Sequence, residues 1–63
     1  MSFKKGYCRI ETKNSIIYGE ITEVSDTFIT VIEYSPMMVQ IEIDKSKIVS
    51  YEPIAEDDIP PYE

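Results

Sequence analysis

Cationic side chains are the clearest chemical resource of this sequence. Lys4, Lys5 and Arg9 stand near its start, and Lys45 and Lys47 share the polar stretch Asp44-Lys45-Ser46-Lys47. Clustered ammonium and guanidinium groups hold phosphate with an affinity that falls as salt rises. As solvated turn lysines, Lys45 and Lys47 need no partner at all. Tyr7, Tyr18, Tyr34 and Tyr51 suit core or interface packing, and exposed tyrosines can also stack on unpaired bases. Catalysis finds no support: histidine is absent, no glycine-rich phosphate loop occurs, and no nucleophile stands beside a base. Asp57 and Asp58 are adjacent carboxylates on a segment without the rigid positioning that catalysis requires. Cys8 is the one cysteine, which excludes an internal disulfide and leaves no thiol set for a metal. The reading is a protein without cofactor or metal that is not an enzyme.

Charge is distributed unevenly. The 63 residues carry 12 acids and 6 bases, a net charge of -6. Five of the acids and none of the bases lie in residues 52–63 (EPIAEDDIPPYE), leaving seven acids against six bases in residues 1–51. The negative charge belongs to an expected flexible acidic tail, free to meet a protein partner, and the rest is nearly neutral. Overall acidity therefore does not exclude nucleic acid.

The elements that must position these groups are strands. Isoleucine, valine and threonine occur 11, 4 and 4 times, leucine is absent and alanine occurs once. Branching at Cβ stiffens χ1 and suits a pleated surface. Alternation marks strands over residues 7–12, 16–24, 27–34, 37–43 and 48–51. Lys13-Asn14-Ser15 is a tight turn in which Asn14 can take positive φ, and Ser25-Asp26 and Ser35-Pro36 are further turns. Gly19 falls inside the long second strand, where glycine marks a bend, a bulge or a close backbone approach. In the third strand Ile29 and Val31 share one face with Glu33, and Phe28, Thr30, Ile32 and Tyr34 the other, so both faces carry apolar groups. The domain reading is a basic arm (1–6), a β domain (7–51) and an acidic tail (52–63). No apolar run approaches 18 residues and none opens the chain, so neither a membrane contact nor a secretory signal is expected. Together with the absence of paired cysteines, that fits a reducing, cytoplasmic setting.

Five short strands joined by tight turns, the second long and bent at glycine, describe a small all-β SH3-like barrel. The stretch Ile10 to Phe28, IETKNSIIYGEITEVSDTF, resembles the first sequence motif of the Sm/Lsm family. Gly19 matches its glycine, Ile21 the hydrophobic residue that follows, and Asp26 its turn aspartate. Ile43 to Tyr51, IDKSKIVSY, is similar to the second motif through Ile43 and Ile48. The resemblance spans residues 7 to 51 and implies an Sm-like barrel whose fourth strand pairs with the fifth strand of the next subunit in a homo-oligomeric ring. It also implies RNA or single-stranded nucleic-acid binding, with candidate residues Asp26, Thr27 and Phe28 beside Lys45 and Lys47, which a ring repeats around its pore.

The base-reading residues of that family are replaced. Its asparagine corresponds to Ile29, its stacking position to Thr27, and the arginine and glycine of the second motif to Asp44 and Lys45. The N-terminal helix of the family has no room here. The ring follows independently from edge strands: residues 37–43 contain no proline and one charge, Glu42, which leaves a poorly protected edge. Head-to-tail pairing of such edges closes a ring if the rotation closes. A protein-interaction ring without nucleic acid is the alternative reading.

Overall fold

The computed structural model describes residues 2–34 and 38–59. The expected Ser35-Pro36 turn, the start of the fourth strand at Met37 and the Pro60-Pro61-Tyr62 end of the tail lie outside the described residues. Five strands form where β-branched residues alternate with polar ones: β1 (Gly6–Thr12), β2 (Ile16–Val24), β3 (Phe28–Glu33), β4 (Val39–Asp44) and β5 (Ile48–Pro53). A 3-10 turn, Lys45–Lys47, joins β4 to β5, and a second, Glu56–Asp58, follows β5. No α-helix occurs among the described residues, and no helix is long and apolar enough to cross a membrane.

All strands belong to one antiparallel sheet in the order β4-β3-β2-β1-β5. The core is one cluster fed by every strand: Cys8 and Ile10, Ile17 and Ile21, Ile29 and Val31, Ile43, and Ile48. Flat strands about 4.8 Å apart would put the two edges about 19 Å from each other. Asp44 ends β4 and Ile48 begins β5, and four residue steps span at most about 14 Å even fully extended. The short turn thus forces the sheet to curl until Ile43 and Ile48 share one core. No ladder joins β4 to β5 among the described residues, so the curled sheet stays open with one edge on each side.

Two irregularities help the curl. Ile21 pairs with Val31 but Glu23 with Thr30, so Thr22 is the extra residue of a bulge; its hydroxyl donates to the Thr30 carbonyl oxygen at 3.5 Å. Glu11 pairs with Ser50 but Thr12 with Ile48, which makes Val49 the extra residue in β5. Bulges increase local twist and bend the strand that carries them. Gly19 acts differently. It pairs with Cys8 on one side and Glu33 on the other, and a Cβ there would overlap the Ile32 carbonyl oxygen and stand 2.9 Å from its carbon.

The β1–β2 turn departs from the expected positive φ at Asn14, since no residue other than glycine has one among the described residues. Thr12 closes it instead. Its N–H donates to the Ser15 carbonyl at 2.9 Å, and its hydroxyl accepts from the N–H groups of Asn14 and Ser15 at 3.3 and 3.2 Å. A side-chain oxygen that gathers the loop's N–H groups removes the need for a left-handed residue. At the other end, β5 runs two residues past Tyr51 to Pro53, and the Ile54 N–H donates to the Tyr7 carbonyl at 3.1 Å.

Cys8 is fully buried, and burial pushes its thiol up to about 11, partly offset by a backbone hydrogen bond with Ile21. At pH 8 the native protein is expected to hold about a hundredfold less thiolate than an unfolded chain whose thiol titrates near 9. Labelling by a disulfide reagent should be slow in buffer and fast in urea; equal rates would contradict the burial. A raised pKa in the folded state means the native protein keeps its proton longer. Its contribution to stability is present below about pH 9 and is lost as pH rises to about 11.

Candidate nucleic-acid interface

The turn between β2 and β3 is closed by the Ser25 N–H donating to the Phe28 carbonyl at 2.9 Å. Asp26 and Thr27 are exposed at its tip, and Phe28 is half-buried at the start of β3, opposite Asp44. The Lys45 N–H donates to the Thr27 carbonyl at 2.9 Å. That bond joins two stretches 18 positions apart in sequence, so Asp26, Thr27, Phe28 and the Lys45–Lys47 turn form one continuous surface.

Asp44 sets the geometry of that turn. Its carboxylate accepts from the Ser46 N–H at 2.9 Å and the Ser46 hydroxyl at 2.8 Å, which caps the 3-10 turn. These bonds, with the charge of Lys47, hold the Asp44 acid below its ordinary value of 3.8. A carboxylate engaged in this way is a turn-former and offers nothing to a phosphate.

The two candidate lysines diverge. Lys45 is half-buried, and its ammonium lies 5.8 Å from the centre of the Phe3 ring, within cation–π range. Phe3 meets Tyr51 edge-on at 5.0 Å, and the Lys4 N–H donates to the Tyr51 hydroxyl at 3.3 Å. The basic arm is thereby tied to β5 beside Lys45, so the two basic zones of the sequence become neighbours. Lys47 instead lines a groove of about 690 Å³ between the β1–β2 turn, the end of β4 and the start of β5. Lys13 also lines it, but so do Glu42 and Asp44. Two cations matched by two carboxylates do not concentrate phosphate, which leaves the arm and Lys45 as the more electropositive zone.

Sequence reasoning missed Phe3 and Tyr51 as the supports of Lys45. The Asp44-x-Ser46 spacing did carry the signal for the cap. Gly19 lies away from these loops and serves the backbone approach between β2 and β3. Among the described residues no group of three or more acid, thiol or imidazole side chains converges to hold a metal ion.

Comparison with family models, curated proteins and solved structures finds no match. The class defined by the fold is a five-stranded antiparallel all-β domain with two open edges.

Proposed function

We propose that the chain is an Sm-like subunit of a homo-oligomeric ring that binds RNA or single-stranded nucleic acid weakly and without the base pocket of that family. The observation that carries this reading is the Lys45–Thr27 backbone bond. It builds one surface from the β2–β3 turn and the β4–β5 turn, with Lys45 and the arm lysines Lys4 and Lys5 on or beside it. Repetition around a ring would multiply each lysine and supply the phosphate contacts that one copy lacks. Ile29 is fully buried in the core, so the position that reads a base in that family has no access to one here. Recognition then rests on the backbone of the nucleic acid.

The ring is supported by the edges. Among the described residues β4 pairs only with β3 and β5 only with β1, so each presents one unpaired side. Val39 and Val49 are 41% and 58% exposed on these edge strands, which is apolar area for a neighbour to cover. Size-exclusion chromatography with light scattering tests the assembly. A mass several times that of one chain at micromolar concentration is expected, and proline placed in β4 where the N–H faces away from β3 should return it to one chain. A monomeric wild type overturns the ring.

A protein-interaction ring without nucleic acid is the second reading. It is favoured by the carboxylates Glu42 and Asp44 beside Lys47 and by the Phe3 ring at the ammonium of Lys45.

A further inference from the structure

On the face of the sheet opposite the core, Tyr7 of β1 stands across from Glu20 of β2. Tyr34, just after β3, donates its hydroxyl to the Glu20 carboxylate at 3.0 Å. The Tyr7 and Tyr34 rings lie 6.0 Å apart and are tilted by 32°. They line a groove of about 420 Å³ that is completed by Met38, Glu56 and Ile59. Glu56 and Ile59 reach it because the chain leaves β5 beside Tyr7, fixed by the Ile54 N–H bond to the Tyr7 carbonyl. Two aromatic rings, the Glu56 carboxylate and two apolar side chains thus line a groove outside the basic loop surface, with Glu20 held against Tyr34 beside it.

The charge of this groove has one sign. No lysine or arginine lines it, and residues 35–37 and 60–63, which flank its members in sequence, hold no basic residue. Phosphate would be repelled. The ring centres are 6.0 Å apart, so one cation can lie within the reach of about 6 Å of both rings. Glu20 and Glu56 add Coulomb attraction, and Met38 and Ile59 suit the methylene stem of a long side chain. Burial together with the bond to Glu20 pushes the Tyr34 hydroxyl up to about 12, so it remains a donor that holds the carboxylate in place.

From the paired tyrosines, the Glu20 and Glu56 carboxylates and the absence of any basic residue lining the groove, we infer that it is a binding site for an alkylammonium group, namely a lysine side chain presented by another polypeptide. The groove would meet a basic segment in this way independently of whether the loops bind nucleic acid.

The test uses the isotope-labelled full chain, followed by NMR during titration with a blocked Gly-Lys-Gly peptide, the norleucine counterpart, and tetramethylammonium chloride. Saturable shifts confined to Tyr7, Tyr34, Met38 and Ile59 are expected with the lysine peptide and with tetramethylammonium, and at least about fivefold weaker shifts with norleucine. Tyr7→Phe should bind like the wild type, whereas Tyr7→Leu and Glu56→Gln should each weaken binding about fivefold. Unmoved Gly19 and Ile21 amides confirm that each variant is folded. If Tyr7→Leu fails to fold, Glu56→Gln on the exposed 3-10 turn decides alone. Equal response to the norleucine peptide, or no localised shift up to about 20 mM, overturns the inference.

Discussion

Replacing Gly19 with alanine is expected to unfold the protein. The added methyl would overlap the Ile32 carbonyl oxygen and reach 2.9 Å from its carbon and 3.1 Å from the Glu33 Cα, all backbone atoms of β3. No rotamer change relieves a clash between Cβ and a strand, so β2 and β3 must separate at the Gly19–Glu33 pair. That pair ends the β2–β3 ladder on the middle strand of the sheet, where Gly19 also pairs with the core residue Cys8 and the Ile21–Val31 pair lies two residues away. A domain of this size has a total stability of about 3 to 9 kcal/mol. Pushing β3 off the middle strand beside the Ile21–Val31 core pair is expected to cost several kcal/mol, which consumes most of it.

Gly6 supplies the contrast. It has φ of +126°, yet nothing lies within 4 Å of where its Cβ would be. Gly6→Ala should therefore cost only the local backbone strain, about 1 to 3 kcal/mol. Urea titration followed by far-UV circular dichroism distinguishes the two: loss of the folded baseline for Gly19→Ala, and a lowered midpoint for Gly6→Ala. A folded, normally stable Gly19→Ala protein would contradict the close approach of β3.

Changing Lys45 and Lys47 together to glutamate should abolish binding of single-stranded nucleic acid, weakening it at least tenfold, while leaving the fold intact. Both side chains sit on the 3-10 turn held by Asp44 and by the Lys45 N–H bond to Thr27, and neither bond uses a lysine side chain. The charge of each subunit changes by four at this surface, and a ring would repeat that change in every copy. Lysine–phosphate pairing also sets the salt dependence, so the slope of log K against log salt should flatten by about 0.7 for each phosphate of a single strand that is no longer neutralised. Lys45→Glu alone should take the larger share, because Lys47 lies among the carboxylates Glu42 and Asp44. Unchanged binding by the double variant would move the phosphate-binding role to Lys4 and Lys5 on the arm.

Much of the sheet is legible in the sequence because strand signals are local. Alternation of β-branched and polar residues places all five strands to within a few residues, and the double-sided apolar pattern of the third strand corresponds to a core face of Ile29 and Val31 with Phe28, Ile32 and Tyr34 half-buried behind it. Other features depend on partners. Asn14 suits positive φ, but Thr12 supplies the loop's hydrogen bonds and removes that requirement. Gly19 in a strand signals a bend, a bulge or a close approach; the bulge falls three residues later at Thr22, and the approach of β3 accounts for the glycine. β5 outruns its expected end because pairing with Cys8 and Arg9 of β1 holds Glu52 and Pro53 in the ladder.

The candidate surface is legible in the same graded way. Adjacency of Asp26, Thr27 and Phe28 to Lys45 follows from strand order once β3 and β4 are paired. The divergence of Lys45 and Lys47 is not readable, since it depends on Phe3, which reaches Lys45 only after the arm folds against Tyr51. Packing between distant ends of a chain leaves no periodic trace in sequence.

The role proposed for this all-β chain is binding of single-stranded nucleic acid through its basic loop surface. Fluorescence anisotropy of labelled oligo-U, oligo-A and single-stranded DNA, titrated with the full chain at low and moderate salt, tests it most directly. Saturable binding that weakens as salt rises and differs little between bases is expected. No binding to any of the three at tens of micromolar would contradict it and leave the sheet's edges and its acidic tyrosine groove as surfaces for protein.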